Sequence, residues 1–458
     1  MRGDLLEFHV GVDDADSPHG MCTTFLGAIL ARRIAELGCE FLDYPYLVRL
    51  NPNIPFKTRG NGAISLHFRA SKDSTSVIVG ILEELLAEYG EEHGKTDPTA
   101  ILVVGGISNL KVLYERGLHE LVAPSLVTRA LAQIDACVIG GEKGRGIVGA
   151  AASIGAYPLT RYSYELLLYR PLRVRSRDRR VDKLVLDIDF MLRPYIFANV
   201  DYAAHRIIAI PHGPDPVILG LRSINPLLLS SLMPRLYSST RAIAAVIYKT
   251  NQATGSHLTV RKRVGELRPY DSVVVRGRVA EKPRSIRGGH VVFRLEDSTG
   301  FVDCAVYRET GRLAKVARLL VRGDLLEVGG GVKPRNPPHS LTLNVEFLRV
   351  LRPIPLPHKL NPLCPNCGRR MKSAGRGKGF KCSYCGYRSR EAKKDVRILP
   401  RIVEPGLYLQ SPSAYRHLSP PLEALGLSSL PANPDPRLFL YPLPLDKLKK
   451  SGRIGGGV

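Results

Sequence analysis

Three carboxylates crowd one short stretch, Gly11-Val12-Asp13-Asp14-Ala15-Asp16-Ser17-Pro18-His19-Gly20-Met21-Cys22-Thr23-Thr24. Like charges at this spacing raise one another's pKa unless a cation sits among them. Mg²⁺ suits such a cluster, because it takes a few carboxylates and leaves its other positions to waters and phosphate oxygens. Asp13 and Asp14 are the candidate magnesium ligands, with Asp16 beside them. Hydroxyls follow at Thr23 and Thr24, where a helix start would offer free N–H groups to a phosphate. The chemistry suggested is that of a catalytic metal site beside a bound phosphate. The same residues, taken alone, also make an ordinary turn with Thr23 as a helix cap.

Two further stretches could hold phosphates. One is Lys57-Thr58-Arg59-Gly60-Asn61-Gly62, and the other is Gly140-Gly141-Glu142-Lys143-Gly144-Arg145-Gly146. Glycines let backbone N–H groups approach an anion, and Lys and Arg neutralise its charge. Neither stretch has the Gly-Lys-Ser/Thr ending of a P-loop, and each alone is a weak signal. Far downstream, Cys364-Pro365-Asn366-Cys367 and Cys382-Ser383-Tyr384-Cys385 are separated by fourteen residues. Two CxxC pairs at this spacing predict a four-thiolate zinc ribbon. Four thiolates leave the metal no open position, so this zinc is structural. Arg369, Arg370, Lys372, Arg376, Lys378 and Lys381 make the ribbon strongly basic.

These groups need elements to position them. Glu7 to Val12 alternates like a strand. Phe25, Leu26, Ile29, Leu30, Ile34 and Leu37 recur at helical spacing behind the acid cluster. Tyr46 to Leu50, the alternating Ile64, Leu66 and Phe68, and Ile101 to Val104 predict strands. Ile78 to Tyr89 predicts a helix, two short helices are expected before Gly140, and the second loop opens a small-residue helix over 147–156. Alternating strands and helices give an α/β or α+β domain over 1–182. Residues 183–260, with strands expected over 184–189, 207–210, 217–221 and 243–248 and a helix near 227–236, suggest a ferredoxin-like α+β domain. Five strands within 270–353 predict an OB-fold β-barrel that binds nucleic acid on its face. The zinc ribbon covers 360–390, and a Pro-rich tail covers 391–458. The whole is multidomain α+β.

The 458-residue chain is too long for one core. Its net charge of +24 and sequence pI near 9.8 point to a polyanionic partner, nucleic acid before membrane. From Tyr169 to Lys183 there are seven basic residues against two acidic, either a solvated linker or an RNA contact. There is no run of 18 apolar residues and no signal core, so no membrane association is expected. Four scattered cysteines beside the paired four favour a reducing cytoplasm.

The chain resembles the archaeal 2-agmatinylcytidine synthetases that act on the AUA-reading isoleucine tRNA. GVDDADSPHGMCTT, LNPNIPFKTRGNGA, KGRGIVGA, FANVDY, GGHVVFRLED, CPNCGRRMKSAGRGKGFKC and PSAYRHLSPPL carry the resemblance in content, order and spacing, over nearly the whole chain. It implies an ATP- and Mg²⁺-dependent ligase that joins agmatine to C2 of the first anticodon cytidine, after phosphorylating the C2 oxygen. The product pairs with A, so AUA is read as isoleucine. It implies a kinase-like α/β ATP domain over 1–182, a ferredoxin-like agmatine-binding domain over 183–260, and contacts with the anticodon and acceptor regions of the tRNA. Asp13, Asp14 and Asp16 would serve Mg²⁺ and phosphates, and Thr23 matches a threonine the family phosphorylates on itself. Lys57, Arg59, Gly60, Asn61, Gly62, Lys143, Gly144, Arg145 and Gly146 would cradle ATP. Ala15 departs from the hydroxyl residue common there and leaves the acids in register. Asp201 in FANVDY is the candidate for agmatine's guanidinium, with Asp189 and Asp215 also available. Two other readings fit the parts: a non-catalytic OB-fold and ribbon tRNA-binding protein, and an ATP-dependent RNA enzyme of another base specificity. ATP turnover with tRNA, with and without agmatine, separates the three.

Overall fold

The computed structural model describes residues 5–17, 20–57, 60–90, 96–171, 179–211, 213, 215–335 and 341–441. Arg59, Thr58, Pro18, His19, part of the basic run (172–178) and the tail beyond 441 lie outside them. The first unit runs β1 (Leu5–Asp13), α1 (Thr23–Glu36), β2 (Glu40–Phe41), β3 (Tyr46–Arg49), β4 (Gly62–Ser71) and α2 (Ser74–Tyr89). It continues through β5 (Thr99–Val104), α3 (Ser108–His119), α4 (Pro124–Leu131), β6 (Ala136–Gly140) and α5 (Gly146–Gly155). β1 lies between β4 and β5, antiparallel to both. Phe8, Val10 and Val12 are fully buried, as a central strand requires.

The second unit is β7 (Ser163–Tyr169), α6 (Arg179–Leu192), β8 (Ile196–Phe197), β9 (Val200–Asp201), β10 (Arg206–Ile207), β11 (Val217–Ser223), α7 (Pro226–Ser239) and β12 (Ala244–Thr250). In the sheet the order is β12-β7-β11-β8, with β9 and β10 paired apart as a hairpin. This is the ferredoxin-like arrangement of two helices and four strands. Its first strand is β7, ahead of the residue 183 where the sequence suggested a start. The strand expected over 184–189 is instead the middle of α6. Val181, Val185 and Ile188 are buried at helical spacing, while Leu186 and Phe190 are exposed. A local alternation of apolar residues hid the longer period. The strand expected over 207–210 shrinks to β10.

The two units are not separate sheets. β3 and β12 pair in parallel through Lys249 with Tyr46 and Thr250 with Leu47. One continuous sheet results, ordered β6-β5-β1-β4-β3-β12-β7-β11-β8. Beyond it, β13 (Ser272–Val279), β14 (Arg284–Ser285), β15 (Val291–Asp297), β16 (Gly300–Val306), α8 (Arg312–Arg318), β17 (Leu325–Lys333) and β18 (Thr342–Arg352) build the OB-fold. β13 pairs with both β17 and β15, which closes the barrel. Short strands over 372–373, 380–381 and 388–389 form the ribbon. The segment after it returns to the body: 406–409 pairs with β18, and 440–441 pairs with β12.

Candidate active site

β4 and β5 begin where β1 ends, because both run antiparallel to it. Val12 faces Ile64 and Asp13 faces Thr99. The acid cluster, the loop entering β4 and the residues before β5 therefore share one edge of the sheet. Desolvation pushes the Asp13 carboxyl up to about 8, with the charge of Asp14 adding to it. It sits against α5, where a Cβ on Gly149 would fall 1.7 Å from Asp13 Oδ2. A crowded carboxylate of this kind fits a divalent cation, whose charge would reverse the shift. Asp14 holds a left-handed backbone (φ 59°) and is buried. Its Oδ2 accepts the N–H of Asp97 at 2.9 Å. Asp16 Oδ1 accepts the N–H of Thr23 at 3.0 Å and its hydroxyl at 3.3 Å, while Thr23 Oγ1 accepts the N–H of Ala15 at 3.2 Å. Asp16 is thus the partner that starts α1, and Thr23 donates to it.

Asp97 is a residue the sequence did not reveal. It is wholly buried and accepts the N–H of Lys143 at 3.0 Å and of Arg145 at 2.7 Å. The second glycine loop is thereby clamped to the acid cluster through one side chain. Gly146 has no room for a Cβ, which would meet the Asp97 carbonyl at 2.3 Å. Lys143 Nζ donates to the Thr96 carbonyl at 3.3 Å. Arg145 Nε is buried with no hydrogen-bond partner among the described residues, the situation an anion would relieve. Gly144 takes a left-handed turn (φ 70°) between them. Asp97-Pro98 reads in sequence as a simple turn, with nothing to mark it as part of a site.

The first glycine loop stands on the other side of β1. Asn61, also left-handed (φ 51°), donates to the Asn51 carbonyl at 3.1 Å. A Cβ on Gly60 or Gly62 would fall 2.5 Å from Arg49 Nη1. Burial, with Arg416 and Lys333 nearby, lowers the pKa of the Lys57 ammonium.

A cavity of about 250 Å³ opens beside this loop. Asp16, Thr23, Thr24, Arg49, Gly60 and Gly62 line it from the first unit. Glu165, Asp215 and Arg222 line it from the second, and His417 from the C-terminal segment. It lies across the β3–β12 seam. Arg222 Nε pairs with Glu165 Oε1 at 3.3 Å, and Gln252 Nε2 donates to Glu165 Oε2. Arg49 Nε is buried without a partner among the described residues, and burial lowers its pKa. Arg49, Glu165 and Arg222 are single charges within apolar strands, which is the one signal in the sequence that could have found them. His417 belongs to PSAYRHLSPPL, a stretch whose sequence alone gives the histidine no role.

Asp201 is not among the residues lining this cavity. Its carboxylate accepts the Ser413 N–H at 3.0 Å, the Ser413 hydroxyl at 2.6 Å and the Ala204 N–H at 3.0 Å. Burial pushes that carboxyl up, but the bonds from Ser413 and Ala204 together hold it below the ordinary value. It anchors the C-terminal segment. Asp189 is buried and bonded by Tyr202 at 2.9 Å and Asn199 at 3.3 Å. Of the three acids weighed for agmatine, Asp215 lines the cavity.

In the ribbon, the sulfurs of Cys364, Cys367, Cys382 and Cys385 lie within 4.8 Å of one another. Four converging thiols on a small basic module fit zinc.

Family models place these parts together. A TiaS TCKD domain matches residues 9–142, a TiaS FLD domain 144–257, an OB-fold nucleic acid binding domain 273–351 and a TiaS C-terminal zinc ribbon domain 361–401. The tRNA 2-agmatinylcytidine synthetase TiaS of Thermofilum pendens is 48% identical over 435 residues, covering 93% of this chain and 97% of that one. The chain belongs to the TiaS family. The TiaS of Pyrococcus horikoshii is 39% identical, covering 90% of this chain and 96% of its own. Among solved structures, a complex of TiaS with its isoleucine tRNA and ATP is 33% identical with a TM-score of 0.76, covering 93% of this chain and 100% of that one. Apo TiaS matches with a TM-score of 0.78 at 31% identity, covering 92% of this chain and 99% of that one. The multidomain fold expected from sequence is therefore that of the TiaS family.

Proposed function

We infer that this chain joins agmatine to C2 of the first anticodon cytidine of the AUA-decoding isoleucine tRNA at the expense of ATP. The observation that carries the reading is the placement of the cavity. It touches Asp16 and Thr23 of the acid stretch on one wall and the ferredoxin-like unit on the other. A phosphoryl donor and an amine can meet there.

The C2 oxygen of cytosine is a poor leaving group, and a phosphoryl group makes it a good one. Phosphoryl transfer needs positioned charge more than covalent machinery. Lys143 and Arg145, held by Asp97, and Lys57 and Arg49 on the other side would bind phosphate oxygens. Arg59, Gly60, Asn61, Gly62, Gly144 and Gly146 complete the two cradles in this reading. Asp13 and Asp14 would hold Mg²⁺, which when bound neutralises charge on the transferring group. Asp16 accepts the Thr23 hydroxyl and so orients it, as a phosphorylatable threonine requires. Asp215, rather than Asp201, would meet agmatine's guanidinium by a charge-assisted bond. The cytidine must leave its stack to enter, which suits an unpaired anticodon loop.

The domain roles follow. The region 1–182 carries ATP chemistry, with β7 given to the ferredoxin-like unit that binds agmatine, and the OB-fold and ribbon hold the tRNA. No helix among the described residues is long and apolar enough to cross a membrane. The test is ATP-dependent incorporation of labelled agmatine into isoleucine tRNA transcripts. Incorporation that needs both ATP and a cytidine at the first anticodon position supports the reading. ATP turnover indifferent to agmatine and tRNA would end it.

A further inference from the structure

Agmatine's attacking nitrogen must lose a proton, and the phosphoryl machinery above supplies no base for it. A chain of three side chains does. Glu165 Oε2, a carboxylate oxygen, can only accept, so it takes the amide NH₂ of Gln252. That leaves Gln252 Oε1 facing His417 Nδ1 at 2.9 Å. An amide oxygen is an acceptor, so Nδ1 carries the hydrogen. His417 Nε2 is then the unprotonated nitrogen. Among the described residues it has no hydrogen-bond partner. It lies over the first glycine loop, 2.8 Å from where a Cβ on Gly60 would stand. His417 lines the cavity that also holds Thr23 and Asp215.

We propose that His417 is the general base of the amine step, taking the proton from the nitrogen of agmatine as that nitrogen bonds to C2. The proposal rests on the reading of the cavity given above. The amine enters the step uncharged, its ammonium proton already lost to solvent, and its lone pair forms the C–N bond. The C2–O bond breaks, and its electron pair leaves with the phosphate oxygen. One proton passes from nitrogen to His417 Nε2. The nitrogen becomes acidic as it gives its pair to C2, so a base weaker than the free amine suffices.

The charges around the imidazole keep it ready. Arg49 on β3 and Arg222 on β11, with Lys57 in the loop, face it, while Glu165 on β7 acts through Gln252. Arg49 comes first among the causes that hold His417 well below the ordinary histidine value, followed by burial and by Arg222 and Lys57. Arg222 Nη2 lies 3.4 Å from Nδ1, too long to displace the Gln252 bond. The segment that carries the ring is fixed on both sides. Ala253 N–H donates to the His417 carbonyl at 2.8 Å. Arg416 Nη1 donates to the Pro52 carbonyl at 3.1 Å.

The test compares wild type with His417→Asn, whose amide nitrogen can keep the bond to Gln252 while Nε2 is lost. His417→Gln, which places an amide nearer Nε2, serves as the second variant, and melting curves check both. With ATP, tRNA transcript and agmatine, incorporation by the variants should fall about 10²- to 10⁴-fold, the usual worth of a general base. Phosphorylated tRNA should accumulate instead. An agmatine analogue ending in a hydrazide, whose weakly basic nitrogen gives its proton to water more readily once bonded to C2, should recover much of the loss. Failure of phosphorylated tRNA to accumulate, or equal loss with the hydrazide, would overturn the assignment. Wild-type enzyme that forms no phosphorylated tRNA when agmatine is withheld would remove the step itself, and with it both the assignment and the phosphoryl-activation reading.

Discussion

Asp14 Oδ2 and the backbone N–H of Asp97 meet at 2.9 Å, and through Asp97 the acid stretch is joined to the second glycine loop. Asp97 grips Lys143 and Arg145 by their backbones, so the contacts that hold the loop do not use the Arg145 guanidinium. Asp97→Ala removes the acceptor of two partly buried N–H groups, which water can reach in part, and should cost about 1 kcal/mol for each bond lost. The KM for ATP should rise more than kcat falls, because the loop positions phosphates. Thermal melting and ATP-dependent kinetics on the same preparation check this.

Asp14→Asn keeps the acceptor for Asp97 and tolerates the left-handed backbone, since Asn enters that region readily. It removes one negative charge. Agmatine incorporation per folded molecule should drop about 10²- to 10³-fold, the usual scale of one lost electrostatic contact in a transition state. Affinity for tRNA should hardly change, because the OB-fold and ribbon carry it. Wild-type incorporation by a folded Asp14→Asn enzyme would remove the acid cluster from the mechanism.

Glu346 on β18 ties the OB-fold to the segment bearing His417. It pairs with His257 at 2.9 Å and Arg416 at 3.3 Å and accepts the Ser419 hydroxyl at 3.0 Å. Burial pushes its carboxyl up, but His257, Arg416 and Ser419 outweigh that and leave it below the ordinary glutamate value. A depressed folded-state pKa gives stability that is present above the unfolded value and lost as pH falls through the folded one. Melting temperature should therefore decline as pH drops below about 4.3, the ordinary glutamate range. Glu346→Gln should flatten that acid limb and lower stability at neutral pH. A pH series of melting curves on both proteins decides it, and an unchanged acid limb in the variant would sink it.

Cys364→Ser should unfold the ribbon locally, because closed thiolate sites contribute folding energy directly. Freshly purified protein should hold one tightly bound zinc, lost in the variant and slow to leave the wild type under chelator. Elemental analysis showing less than half an equivalent in the wild type would contradict the site.

Some of this is legible in the sequence for physical reasons. The acid stretch announces itself because the apolar period switches from strand to helix across it, and β1 and α1 fall on either side. The ribbon is legible from ligand spacing, and the barrel from alternation. The seam between Tyr46 and Lys249 is not, because backbone pairing at a strand's end leaves little trace in side chains. α6 reads as a strand because Leu184, Leu186 and Ile188 alternate within a longer helical pattern. The cavity is hidden for another reason. Arg49, Glu165, Arg222 and His417 are single polar residues on distant segments, and only the three-dimensional path of the chain gathers them. Asp201, singled out by its motif, is occupied with Ser413.

The chain order of the site has one more consequence. Tyr415 to Leu418 follow the zinc ribbon and wall one cavity together with residues from β3 and the first glycine loop, and His417 also walls the site cavity. On the ribosome, then, the acid stretch, both glycine loops and the zinc ligands all emerge before the histidine. Every chain that stalls or is clipped ahead of residue 417 carries a phosphate-binding half with its far wall missing. Synthesis itself delays assembly of the complete centre until the segment beyond the ribbon is free to fold back.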